Sequence, residues 1–435
     1  MRQIFFNIPF DRIVSLAMST LLVALSGCGQ NSGSVQNVTA PHRTTVTVLI
    51  WAPDWPEQML QIAREFNRVN PDISINVQFM IGDSVEQNIK PRVASGNLPD
   101  LISINPNSYA SELADQGVLA DVGQTAAWNN MLDSLKTDWT SPTGKQFGIS
   151  GGIATTLMYY NKDMFERAGI RRLPTDFKEF LLVCAQLKHA GFTPIVWNGG
   201  FPNMLGNGPF SFGFGNNVVA HEPDWKTKMA YGTLDLNTQA VANIFSSMLQ
   251  IVDQGYAQTG YMNTNYDEGI NLFTEGKVAM AFQGSWASGR LMHGTGFKTG
   301  VFIPPWNEPG KTVVPVIGSE TGFAVCETAN KAAALRFLEY IAGPGFIELQ
   351  KKRHNISPFK QESGQGLSEP EIAAYTAMVR SYPVTVGLYY SFLPANTIES
   401  LHPLIQDVLL KKVTPRQAAK ILDVSVRHEA KMHYK

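Results

Sequence analysis

The sequence predicts an α/β fold, a mostly parallel sheet with helices on both faces, in a chain long enough for two domains. Two observations carry that expectation. Strand-like and helix-like periods alternate along the chain. About 390 residues follow the N-terminal apolar segment and its polar tail, which favours two hydrophobic cores over one.

Val46-Thr47-Val48-Leu49-Ile50-Trp51 reads as a buried strand, and Met59, Ile62, Ala63, Phe66 and Val69 then recur at helical spacing until Asn70-Pro71 ends the helix. Ile73, Ile75, Val77 and Phe79 alternate as in a half-buried strand, and Leu101-Ile102-Ser103-Ile104 follows another helical stretch. In such a βαβαβ order the ligand crevice lies beyond the carboxyl ends of the strands. The loops that begin at Trp51-Ala52-Pro53-Asp54 and at Asn105-Pro106-Asn107-Ser108 are therefore candidate site loops.

From Thr155 onward the pattern predicts a strand over 156–160, a helix over 176–190, a strand over 194–197 and a long helix over 238–254. The Gly- and Phe-rich stretch 206–217 carries neither period and reads as a loop, a candidate binding loop. Strands return over 278–282, 313–317 and 321–325, followed by helices over 330–342, 369–379, 400–410 and from Thr414, where Pro415 takes the first helical position. No internal repeat interrupts this order.

Arg2 and Arg12 flank a segment that becomes apolar over 13–25 and ends in Leu25-Ser26-Gly27-Cys28. It is too short to span a bilayer comfortably and has the charge, apolar run and cleavage site of a secretory signal. Its ending resembles the bacterial lipobox, which makes residues 1–27 a lipoprotein signal peptide and Cys28 the lipidated residue. Residues 28–45 then form a flexible tether, polar and small-residue-rich from Gly29 to Asn37.

The chain carries 35 basic and 36 acidic residues with no basic stripe, which argues against nucleic acid. Cys184 and Cys326 sit in apolar runs and read as buried thiols; a single pair makes no disulfide framework, and whether they pair stays open.

Catalytic constellations fail one by one. The histidines of His428-Glu429-Ala430-Lys431-Met432-His433 are five apart, where a helix needs four to put both on one face. Around Thr143-Gly144-Lys145, Trp139 and Gln146 replace the glycine and hydroxyl residue of a phosphate loop. Gly284-Ser285-Trp286 lacks the second glycine of a nucleophile elbow. The aromatic supply is more informative: Trp51, Trp197, Trp225, Trp286, Trp306, Tyr389 and Tyr390 mostly fall at strand ends or in loops. Aromatic faces suit the C–H faces of sugar rings, while carboxylates and amides bond the hydroxyls.

Phe147-Gly148-Ile149-Ser150, leading into Leu157-Met158-Tyr159-Tyr160-Asn161-Lys162-Asp163-Met164-Phe165-Glu166-Arg167-Ala168-Gly169, is similar to the family-one extracellular solute-binding proteins, the group of maltose-binding protein. Leu173-Pro174-Thr175-Asp176-Phe177 resembles that family's next helix start, with Phe177 where tryptophan is usual. The run from Phe273 to Trp286 resembles its other signature, which implies that Trp286 stacks on a sugar.

The resemblance implies a two-lobed periplasmic-binding-protein-like fold with discontinuous lobes and a hinge cleft. The first lobe would comprise 46–150 and 304–344 and the second 151–303 and 345–435, with crossovers at 149–152, 303–306 and 340–345. Trp51, Asp54, Asn105 and Glu320 would bind ligand from one lobe, and Trp286, Tyr389 and Tyr390 from the other; of the consecutive tyrosines, only one is expected to face the site.

The function implied is capture of a sugar or oligosaccharide by lobe closure and delivery to the permease subunits of an ABC importer. No bond is broken, so no catalytic residue, metal or cofactor is required. The protein would be a monomer, anchored through Cys28 on the extracytoplasmic side of a membrane. Two readings compete: the same fold serving a non-sugar solute or a sensor, and a lipoprotein glycoside hydrolase with two carboxylates facing across the cleft.

Overall fold

The computed structural model describes residues 43–52, 55–81, 85–354, 356–360 and 370–433. The signal segment, Cys28, most of the tether and Asp54 lie outside the described residues. Among the described residues no helix is long and apolar enough to cross a membrane.

The first lobe is built on a four-stranded sheet of order β2-β1-β3-β9, with β1 at Thr44–Ile50, β2 at Ile73–Phe79, β3 at Leu101–Ile104 and β9 at Gly322–Val325. β1 runs parallel to both β2 and β3, and β9 returns antiparallel on β3. Helix α1 (Pro56–Val69) opens with proline at its first position and turns Met59, Ile62, Ala63 and Phe66 inward. Met59, Ile62 and Phe66 each contribute roughly 1.5–3 kcal/mol by leaving water. Helices α2 (Val85–Ser95) and α3 (Ser108–Asp115) start near the carboxyl ends of β2 and β3.

The second lobe holds β4 (Ile153–Asn161), β5 (Thr193–Val196), β6 (Val278–Gly284) and β7 (Thr299–Phe302) in the order β5-β6-β4-β7, with β8 (Ile317–Ser319) on β4. Here only β5 and β6 are parallel; β4 is antiparallel to β6, β7 and β8. The expected parallel sheet therefore describes the first lobe alone. β4 enters this lobe from the first and β8 leaves it toward the first, so the two run antiparallel and the strands beside them cannot all run one way.

The stretch 206–217 is not a loop. It forms continuous wide and regular helical turns from Gly206 to Val219, with Phe210, Phe212 and Phe214 fully buried. Burial on every side erases the one-faced period that sequence reading depends on. The glycines are required for contact: a Cβ on Gly208 would sit 2.6 Å from the Phe282 ring and one on Gly213 2.6 Å from Ile244. In the stretch 313–317 only Ile317 is in a strand, and Val316 makes a single bridge to Val386.

Two of the three expected crossovers are displaced. Trp306, Val314 and Val316 pack into the second-lobe core, where the Trp306 ring meets Phe177, Phe180 and Phe282. The chain returns to the first lobe between Ser319 and Gly322 instead of at 303–306. Phe346, Leu349 and Phe359 still belong to the first-lobe core, so Gly343-Pro344 marks a kink between two helices of that lobe. The third crossing follows Phe359, and the second lobe resumes with Ile372.

Cys184 lies in the second-lobe core and Cys326 in the first; both are free thiols. Each is fully buried in a different lobe, which rules out a bond between them in this fold.

Candidate functional site

A cavity of about 740 Å³ opens where the two cores meet. β1 delivers Trp51 from its carboxyl end, and Trp55 stands just before Pro56 of α1. β3 delivers Asn105 in the same way, as expected for a crevice beyond parallel strand ends. The returning strand adds Glu320 and Thr321, and the helix Phe346–Arg353 adds Arg353.

The opposite wall comes from the second lobe. β6 is antiparallel to β4, so its carboxyl end at Gly284 lies beside the start of β4 at the lobe junction. A tight turn over Ser285–Ala287 then places Trp286, half-buried, on the cavity. Ser285 is no nucleophile: it is fully buried, donates to the Ile153 carbonyl (3.1 Å) and accepts from the Thr155 amide (3.2 Å). Phe201 and Tyr266, with ring centroids 5.6 Å apart, add two more aromatic faces.

Of the sequence-predicted residues, Trp51, Asn105, Trp286, Glu320, Tyr389 and Tyr390 all line this cavity. Both tyrosines do so, against the expectation of one, because the four-residue helix Tyr389–Phe392 points its first turn at the cleft. Tyr389 shares a 2.7 Å hydrogen bond between its hydroxyl and His402 Nε2, and the Tyr390 hydroxyl donates to the Ser319 carbonyl (3.1 Å). Burial, with a smaller effect of the Glu86 charge, pushes the Tyr389 phenol well above its ordinary value; burial and Glu320 do the same to Tyr390. Burial lowers His402 to about 4, so its imidazole is neutral at pH 7. Trp197, Trp225 and Trp306 are core residues of the second lobe.

Sequence reading passed over several wall residues. Glu86 is buried and accepts from the side-chain amides of Asn105 (3.1 Å) and Asn107 (2.7 Å), while Asn107 also caps α3 through the Ala110 amide. Asn207 is buried with its Nδ2 on Asn203 (2.7 Å), and its Oδ1 has no partner among the described residues. It lies in the stretch expected to be a candidate binding loop, where it sits on a buried helical turn instead. Trp55 stood one residue past the flagged loop. Arg353 and His402 carry no sequence signal beyond their type.

At the rim the lobes touch. Lys90 of α2 pairs with Glu399 of the helix Ala395–Leu409 at 2.6 Å, and the Ala395 amide donates to Ser108 Oγ at 3.1 Å. Chemically, the cavity presents aromatic faces on both sides with carboxylates and amides between them. That arrangement fits a polyhydroxylated ring compound.

The chain is 23% identical over 325 residues to the lactose-binding protein of Rhizobium radiobacter, covering 70% of this chain and 71% of that protein. It is 21% identical over 396 residues to the sn-glycerol-3-phosphate-binding periplasmic protein of Shigella flexneri, covering 84% of this chain and 86% of that one. Its fold matches the solved structure of RafE in complex with raffinose with a TM-score of 0.74 at 19% identity, over 89% of this chain and 100% of that one. Residues 52–346, more than half of the chain, match the family model described as bacterial extracellular solute-binding protein, and the chain belongs to this family.

Proposed function

We propose that this chain captures a sugar or oligosaccharide between its lobes and hands it to the permease of an ABC importer, from the extracytoplasmic side of a membrane to which a lipid on Cys28 tethers it. The observation that carries the reading is one cavity walled by Trp51 and Trp55 from one lobe and by Phe201, Tyr266 and Trp286 from the other. A ring held between such faces favours the closed form by contacting both lobes, and that differential affinity drives closure. The lactose-binding relative and the raffinose-bound structure agree with a carbohydrate ligand.

A phosphorylated ligand such as sn-glycerol 3-phosphate fits less well. Among the described lining residues, Arg353 is the one Arg or Lys, and its guanidinium is already paired with Glu320. The reading assigns no bond-breaking step: Glu320 is spent on Arg353 and Glu86 on two amides.

The test is a thermal-shift screen of the purified chain against lactose, raffinose, chitin oligosaccharides and sn-glycerol 3-phosphate, followed by calorimetry and product analysis. Saturable stabilisation by an unmodified sugar is expected, since a ligand that binds only the native state raises its stability. Stabilisation by the phosphate ester alone, or a cleaved sugar, would overturn the proposal.

A further inference from the structure

Two antiparallel segments cross between the lobes in one register. Ile149 bridges Phe323 on the first-lobe side, and Ile153 pairs with Ser319 on the second. Between those rungs the ladder thins to one backbone bond, from the Glu320 amide to the Gly152 carbonyl at 3.1 Å, and Ser150 and Gly151 have no strand pairing. This stretch is tightly packed: a Cβ on Gly151 would sit 2.3 Å from the Thr321 carbonyl oxygen.

Arg353 sits on this stretch from a third segment. Its Nη1 donates to the Gly151 carbonyl at 3.0 Å, on one crossing strand, and its Nη2 bonds the Glu320 carboxylate, on the other. The guanidinium lies 5.4 Å from the Trp55 ring centroid, and the Arg353 backbone carbonyl accepts from Ser288 Oγ of the second lobe at 3.3 Å. Arg353 is 6% exposed, lines the ligand cavity, and its Nε–H has no hydrogen-bond partner among the described residues.

We propose that Arg353 is the clasp of the hinge, a positioning residue that fixes the angle between the lobes by gripping both crossing strands and through which a bound ligand strengthens that grip. A planar guanidinium with five donors can hold two acceptors at a set angle, which a point-charge ammonium cannot. Opening the lobes moves Gly151 relative to Glu320, so opening breaks one arm of the fork. A ligand oxygen accepting from Nε orders the same plane and lengthens the closed lifetime. This coupling to ligand rests on the carbohydrate reading above; the clasp itself does not.

The experiment places cysteines at the exposed positions Val69 and Leu182, one in each lobe, for dye labelling and single-molecule energy transfer in the full chain. The variant is Arg353→Met combined with Glu320→Gln, which leaves no charge buried without its partner. Without sugar, the interlobe distance is expected to lengthen and broaden. With raffinose or lactose, dissociation is expected to be at least tenfold faster while association changes less than twofold. A folded double variant with the native distance distribution overturns the clasp. Should the double variant fail to fold, Arg353→Lys decides: a broadened distribution supports the clasp and a native one overturns it. Should the unaltered protein bind none of the sugars, the carbohydrate reading fails, and the ligand-free distances still decide the clasp.

Discussion

The indole of Trp286 lies against the α-carbon of Gly284: a Cβ built there would come within 2.3 Å of its Cη2 and Cζ3 atoms. Gly284 has an extended backbone (φ −89°), so the glycine serves the close approach and not an unusual turn. The strand end thus forms the seat on which the ring facing the cavity rests.

Replacing Trp286 with Ala is expected to weaken sugar binding by about 2 kcal/mol or more, roughly 30-fold, if the ring is a buried stacking anchor. Its half-buried position makes the cost to folding smaller. Gly284→Ala should weaken binding in the same direction by unseating the ring, with the melting temperature little changed. Calorimetry with the sugar identified by the screen checks both; full affinity in either variant would remove Trp286 from the ligand contacts.

The hydrogen bond between Tyr389 and His402 carries a pH signature. Burial lowers the folded-state value of His402 to about 4, below the unfolded imidazole value near 6.5. Above pH 6.5 both states are neutral and the group contributes nothing to the pH dependence. As pH falls from about 6.5 toward 4 the unfolded chain takes up a proton that the folded one refuses, and stability is lost. The loss is on the order of 2 kcal/mol, allowing for the ring's partial exposure to the cavity. Melting curves of the native protein and of His402→Gln over this range should differ by that amount; parallel curves would contradict it.

Much of the first lobe was legible because its elements are one-sided. α1 turns Met59, Ile62 and Phe66 inward at helical spacing, and strand ends name crevice loops, which is how Trp51 and Asn105 were found. The stretch around Phe212 was not legible, since a helix buried on all sides has no period to read. Nor was Arg353, whose role arises from three segments that meet only in space. The crossover at 340–345 was implied by the family resemblance, and there Gly343-Pro344 instead marks a kink inside one lobe.

The two core cysteines offer a check on lobe separation. Burial, aided by Asp100, pushes the Cys326 thiol up to about 12, and burial alone raises Cys184. Neither is then a thiolate at neutral pH, and both are shielded. Alkylation of the folded protein should leave both unmodified for as long as the fold holds. After denaturation without reductant, each should be recovered as a separately alkylated peptide. A peptide linking Cys184 to Cys326 would require a different arrangement of the lobes.

Asn105 joins the first-lobe carboxylate to the hinge. Its Nδ2 donates to Glu86 at 3.1 Å, and its Oδ1 accepts from the Thr321 hydroxyl at 2.6 Å. Asn105 thereby helps to place Glu86 on the cavity wall. Asn105→Ala withdraws a donor from a buried carboxylate and an acceptor from Thr321, at a cost of about 1–3 kcal/mol. Asn105→Asp sets a second carboxylate beside Glu86, and like charges at that range favour taking up a proton. The Asp variant should therefore be less stable than the Ala variant at pH 8 and recover relative to it as pH falls toward 5. Thermal melts of the two variants across that range decide the matter: a constant difference between them would show that Asn105 does not set the electrostatics of Glu86.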